Sequence, residues 1–275
     1  MSTGIVGNSV ELPDQAYLVC ATPRSGSTLL CELLSATGVA GRPQEYFEDL
    51  QATSRPRQPR QYFDGLDAPE VLELLAPAEP GVPRPPGSFA RRFPEILREG
   101  TTPNGVFGAK LMWGYLPDLL LGVREIPEAS GRRAPEALAA AFPRLRYVQV
   151  LRRDKVGQAV SLWTAVQTAQ WRDDGDGPHQ HEPEYAYRAI DHLVEQLTAQ
   201  ERAWTRWFAN AGLTPVTVVY EDLAATQRAV VGDVLDALGL ERADVAEPPM
   251  RRQAGGRSLE WATRYQAERS GEEAA

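Results

Sequence analysis

The sequence predicts an α/β fold with a mostly parallel central sheet flanked by helices. Three observations carry that expectation. Short apolar runs of buried-strand type recur at 16–21, 105–113, 145–151 and 214–220. Between them lie long segments with helical periodicity, the length that a crossover between parallel strands requires. The first run passes at once into a loop of small residues and then a helix. That unit gathers free backbone N–H groups and a helix N-terminus at one point, where anions bind.

The loop reads PRSGST at 23–28. Laid against the Walker A pattern, Ala21 takes the first glycine, Gly26 the second, Ser27 the lysine and Thr28 the Ser/Thr. A nucleotide triphosphatase needs that lysine on the β/γ-phosphates and a metal on the hydroxyl. Here the lysine is missing, and the positive charge appears three residues earlier as Arg24. A hydroxyl-rich loop without lysine suits a shorter anionic group. Leu29, Leu30, Leu33 and Leu34 fall at helical spacing after it, and Gly38 is a helix stop. The following segment, GRPQEYFE at 41–48, can fold back over the loop. Glu45 is then either a candidate general base facing the anion site or a solvated loop carboxylate.

Residues 49–104 are rich in Pro and Arg, with room for short helices at 69–75 and 89–97. Prolines at that density block long regular elements, so the segment reads as a lid or substrate-side insertion. Lys110 lies near the C-terminal end of the second run, where parallel sheets place their ligands. Arg152 directly follows the third run. The helix after it, extending to about 171, has Val156, Ala159, Val160, Trp163 and Val166 as its buried stripe and leaves Ser161 off it. Arg152 can pair bidentately with a phosphate that Ser161 also reaches. Salt-bridged surface arginines at 152 and 153 are the alternative. Glu201 falls on the apolar stripe of a long helix over 185–211, where it needs a partner or a partly open site. His179, His181 and Glu182 lack the spacing of a closed metal site, and no metal is expected. At 251–266, Arg251, Arg252 and Arg257 sit beside Gly255 and Gly256 in a loop that could close over a second phosphate and feed a short amphipathic helix.

The 275 residues read as one domain with a flexible N-terminus over 1–15 and a flexible tail over 267–275. The 29 basic and 37 acidic residues give a net charge of −8, which argues against general nucleic-acid binding and makes any anion site local. No basic-then-apolar leader is visible at the N-terminus, and no apolar run approaches the ~18 residues of a membrane span. Cys20 and Cys31 read as small core residues in a reducing cytoplasm.

YEDL after the fourth run resembles the sulfotransferase superfamily, and TPRSGSTLL, ATGVAGRPQEYF, GAKLMW, QAVSLWTAVQT and RRQAGGRSLEW closely resemble the bacterial trehalose 2-sulfotransferase family, over about 16–266. The resemblance implies the P-loop-like sulfotransferase fold. It implies an enzyme that moves a sulfuryl group from 3′-phosphoadenosine 5′-phosphosulfate (PAPS) to a carbohydrate hydroxyl, with the 2-position of trehalose the leading candidate and another small molecule the alternative. Arg24, Ser25, Gly26, Ser27 and Thr28 would hold the 5′-phosphosulfate, with Arg24 also stabilising charge in the reaction. Arg152 and Ser161 would hold the 3′-phosphate, and Glu45 would be the catalytic base. Pro23, Arg42, Pro43, Gln44, Glu45, Tyr46, Phe47, Glu48 and Tyr62 would line the sugar, beside Lys110 at the strand end. The family's pattern has a glutamine at Pro23 and an acidic residue at Arg42. A basic residue at 42 suits an acidic or differently shaped acceptor. The resemblance also implies a homodimer and no metal. Two readings of other classes remain: a small-molecule P-loop kinase, which needs the absent loop lysine, and a non-catalytic nucleotide-binding module, in which Glu45 is dispensable.

Overall fold

Alternate residues of the first strand part into two apolar layers, and the architecture follows from that division. The computed structural model describes residues 12–171, 182–243 and 256–273. Its strands are β1 (Gln15–Ala21), β2 (Val106–Met112), β3 (Arg146–Leu151) and β4 (Val216–Val219). Their order is β2-β1-β3-β4, and every pairing is parallel. The helices described are α1 (Ser27–Ala36), α2 (Pro69–Glu73), α3 (Ser88–Gly100), α4 (Leu116–Val123), α5 (Ala134–Ala141), α6 (Lys155–Thr168), α7 (Tyr187–Ala211), α8 (Tyr220–Ala225), α9 (Gln227–Leu238) and α10 (Gly256–Glu273). Tight helical turns occur at Pro59–Phe63 and Trp113–Tyr115.

Ala16, Leu18 and Cys20 point to the layer formed by α3, α4, α5 and the C-terminal half of α7, where Phe93, Leu119, Leu138 and Trp204 meet them. Tyr17, Val19 and Ala21 point to the opposite layer, formed by α1 and α9, against Leu30, Leu34, Val234 and Leu238. Burial on both faces is why β1 reads as one continuous apolar run and not as an alternating one. A third apolar cluster lies beyond the sheet, where α6, α7 and α10 enclose Trp163, Leu197 and Tyr265 and anchor the turn carrying Tyr62 and Phe63. Both cysteines are buried and free.

The chain leaves β1 toward β2 on one side of the sheet and leaves β3 toward β4 on the other. The loops after β1 and β3 therefore diverge, and the crevice between them is the topological switch point, the usual ligand site of such sheets. That crevice places PRSGST opposite Arg152.

Several expectations are corrected. Residues 49–104 are not an insertion throughout: Phe89, Phe93, Ile96 and Leu97 of α3 are buried against the sheet. The helix read over 89–97 is α3, and it packs its apolar face on the core. The predicted flexible tail is helical to Glu273, because Trp261 and Tyr265 of α10 are buried against α6 and α7. The helix after β3 stops at Thr168, where Ala169 turns left-handed with φ 56°. Arg251, Arg252, His179 and His181 lie outside the described residues.

Trp204 ties a core layer to the end of β1. It is 1% exposed, and its Nε1–H donates to the Ala21 carbonyl at 3.0 Å. Trp204→Phe keeps an aromatic ring but strands that carbonyl, at a cost of about 1–3 kcal/mol. Denaturant unfolding should show a lower midpoint with an unchanged slope.

Candidate active site

Two residues in left-handed conformation shape the loop after β1: Arg24 with φ 60° and Gly26 with φ 86°. Gly26 is the N-cap of α1, and no side chain caps that end, so first-turn N–H groups lack intrahelical acceptors at the cleft. A Cβ at 26 would overlap the Tyr220 ring, so this position needs glycine for space as well as for conformation. Tyr220 also lies under the Arg152 guanidinium, 4.8 Å from the ring centroid. Behind the loop, the fully buried Gln158 donates from Nε2 to Thr22 Oγ1 at 2.9 Å and to the Pro23 carbonyl at 2.7 Å.

The predicted donor residues converge. Arg24 Nε donates to Ser161 Oγ at 3.0 Å, and its Nη1 donates to the Trp171 carbonyl at 2.7 Å. Arg152 Nη1 donates to the Arg24 carbonyl at 3.0 Å. Two buried polar atoms here have no partner among the described residues: Ser25 Oγ and Arg152 Nε. Arg153 turns the other way and pairs with both oxygens of Asp222 at 3.1 and 3.0 Å, so the two neighbouring arginines divide between site and surface. Glu201 finds its required partner in Lys155 at 2.7 Å. Arg257 is exposed and does not line the cleft, although Ser258, Leu259 and Ala262 on the same helix do.

The segment after α1 does fold back. Gln44 bridges Ala109 of β2, and the Lys110 N–H donates to the Gln44 carbonyl at 2.9 Å. This brings Glu45 to the loop. Lys110 Nζ lies 2.6 Å from Glu45 Oε1 and 2.9 Å from Thr28 Oγ1. Glu45 keeps 30% of its side chain exposed to the cleft, against 6% for Lys110.

The rest of the segment departs from expectation in two places. Phe47 does not line the cleft; it is 4% exposed and packs edge-on against Phe142 at 5.9 Å, because the turn at 46–47 aims it into the core. Arg42 lines the cleft, but its Nη1 donates to the Glu99 and Thr101 carbonyls at 3.2 and 3.1 Å, where it complements the C-terminal end of α3. Tyr46 stays at the cleft, its hydroxyl donating to the Arg42 carbonyl at 2.8 Å.

The whole cleft has a volume of about 1700 Å³ and is also lined by Pro23, Pro43, Glu48, Tyr62, Tyr115 and Trp171. Tyr62 lies 5.9 Å from Trp171, and Arg57 sits 5.6 Å from the Tyr62 ring. Burial pushes the Tyr62 and Tyr115 phenols well above their ordinary range, so both remain neutral hydroxyl donors. Gln158, Trp171 and Tyr115 were not singled out from sequence. Trp171 could have been suspected as an aromatic residue just past a helix in a polar setting; nothing marks Gln158.

Burial, followed by repulsion from Glu45 and Asp49, raises the Glu48 carboxyl to about 7, against the opposing pull of Lys110 and Arg92. A carboxyl raised on folding binds its proton more tightly in the native state, so stability falls as pH rises from about 4.5 to 7. Glu48→Gln should therefore raise the melting temperature at pH 8 and leave it nearly unchanged near pH 4.5, as read from thermal melts at the two pH values.

The family model for Stf0 sulphotransferases matches residues 16–268. A trehalose 2-sulfotransferase of Mycobacterium tuberculosis strain Erdman is 42% identical over 253 residues, covering 92% of this chain and 94% of the relative. One from Mycolicibacterium smegmatis is also 42% identical, over 262 residues, with coverages of 93% and 97%. Among solved structures, a sulfotransferase from Alicyclobacillus acidocaldarius covers 94% of this chain and 93% of its own at 15% identity and a TM-score of 0.42, a likeness too loose to bear on individual residues. The chain belongs to the Stf0 sulphotransferase family.

Proposed function

We propose that the protein transfers a sulfuryl group from PAPS to the 2-hydroxyl of trehalose, with Glu45 as general base. The observation that carries this reading is the short chain of contacts from Thr28 in the anion loop, through Lys110, to Glu45. It holds a carboxylate open to the cleft beside the point where an anionic donor would be bound. The names of the 42% identical relatives supply the acceptor.

The residues present suit the donor. PAPS carries two separate anionic groups, and among the described residues the cleft has a helix N-terminus without a side-chain cap at one place and a buried guanidinium Nε without a partner at another. Arg24, Ser25, Gly26, Ser27 and Thr28 would hold the 5′-phosphosulfate; Arg152 and Ser161 would hold the 3′-phosphate. When bound, PAPS supplies an activated sulfuryl group on a phosphate leaving group. Glu45 takes the acceptor's proton as the acceptor oxygen bonds to sulfur. The bond from sulfur to the phosphate oxygen breaks, and its electron pair leaves with the phosphate. Arg24 and the first-turn N–H groups of α1 stabilise the charge that builds there.

Rings at Tyr62, Tyr115 and Trp171, with Arg57 and Glu48 nearby, suit a sugar: flat apolar surface for C–H groups and polar ends for hydroxyls. The engagement of Arg42 at the end of α3 removes the main support for an acidic acceptor. Family resemblance supports a homodimer, and the free buried thiols fit a reducing cytoplasm. No described helix is long and apolar enough to cross a membrane.

Incubation with PAPS and trehalose should give a sulfate ester at the 2-position, identified by mass spectrometry and NMR. Glu45→Gln should lower kcat by about 10²–10⁴-fold. Its affinity for the desulfated product, adenosine 3′,5′-bisphosphate, should stay essentially unchanged. Transfer from ATP in place of PAPS, or full activity in Glu45→Gln, would contradict the proposal.

A further inference from the structure

The loop has Ser27 where a Walker loop has its lysine, yet an ammonium reaches the same turn of α1 from the adjacent strand. Lys110 on β2 is in register with Val19 of β1. It shares the α1-facing side of the sheet with Val106, whereas Phe107, Ala109 and Leu111 face the other layer. Its side chain ends at Thr28 Oγ1, in the first turn of α1, and at Glu45 Oε1. At 6% exposure, an ammonium without compensation would be costly. An ammonium has three N–H donors. The structure gives this one two partners, both on the cleft side of the loop.

We infer that Lys110 is a catalytic residue, whose third N–H contacts the oxygen joining sulfur to the 5′-phosphate of the donor. The inference rests on the sulfuryl transfer proposed above and assigns a group to its leaving side. The acceptor oxygen forms its bond to sulfur, the bond from sulfur to that phosphate oxygen breaks, and the electron pair remains on the oxygen. The Lys110 ammonium offsets the new negative charge. The acceptor's proton goes to Glu45, which the same ammonium holds in place at 2.6 Å. One buried cation thus serves both ends of the displacement. A loop lysine would approach from the loop itself; a strand lysine approaches from below α1 and leaves the loop free to stay short and hydroxyl-rich.

The alternative is a positioning role, in which Lys110 only holds Glu45 in place. A double-mutant cycle separates the two. Lys110→Met keeps the length of the stem and removes the charge. The measurements are kcat with PAPS and trehalose, and calorimetric affinity for adenosine 3′,5′-bisphosphate, for wild type, Lys110→Met, Glu45→Gln and the double variant. Contact with the leaving oxygen predicts bisphosphate binding weakened by about 10- to 100-fold in Lys110→Met, with or without the Glu45→Gln change. It also predicts a further loss of kcat when Lys110→Met is added to Glu45→Gln. Unchanged bisphosphate affinity in a folded Lys110→Met protein, or no further loss in the double variant, overturns the inference and leaves the sulfuryl-transfer reading standing. Failure of the wild type to bind the bisphosphate overturns both. Thermal melting checks folding, and Lys110→Gln replaces Lys110→Met in the same cycle if the latter does not fold.

Discussion

A helix N-terminus left without a side-chain cap, at the point where the loops after two parallel strands diverge, is the constraint on which the rest of the site depends. Its orphan N–H groups and the positive end of the helix dipole make an anion site only if the approach to the helix stays open. Gly26 meets that requirement through its left-handed conformation and through the space it leaves for Tyr220. The loop and the end of β1 are then held in shape from behind by Gln158 and Trp204. Arg24 donates to Ser161 and Arg152 donates to the Arg24 carbonyl, which fixes their direction before any ligand arrives. Such preorganisation is what gives electrostatic catalysis its magnitude, since no reorganisation is needed during the reaction.

Charge at this site runs against the protein as a whole. A chain of net charge −8 concentrates two arginines and a buried lysine around one helix end. Across the cleft, Glu45 and Glu48 flank the turn at 46–47, and burial, followed by the proximity of Glu45, raises the Glu48 carboxyl to about 7. Lys110 joins the two sides. Its burial is tolerable because the carboxylate and the hydroxyl beside it replace the lost hydration.

Much of this was legible in the sequence, for a physical reason. Strands buried on both faces must be apolar throughout, and a strand–loop–helix turn must use small residues, so β1 and PRSGST stand out. Arg152 stood out by directly following the third apolar run, and Ser161 because the period of α6 leaves it off the buried stripe. What stayed illegible depended on tertiary contact. Phe47 was read with its neighbours as cleft lining, but a turn reverses side-chain direction within one residue, and apolar character alone does not say which way. Arg42 looked like an acceptor-binding charge until α3 supplied carbonyls for it. The tail over 267–275 looked solvated, and α10 is indeed polar on most of its surface; only Trp261 and Tyr265, several residues earlier, dock the helix that carries it.

The central claim is that this crevice recognises an adenine nucleotide with two separate anionic groups, one at the end of α1 and one at Arg152 and Ser161. Calorimetric titration of the wild-type protein with adenosine 3′,5′-bisphosphate, beside adenosine 5′-monophosphate and ATP, tests it most directly. The account predicts that the bisphosphate binds at least about 10-fold tighter than either competitor, since only it places a phosphate at both points. Equal affinity for the monophosphate would remove the role of Arg152 and Ser161, and tighter binding of ATP would contradict the account.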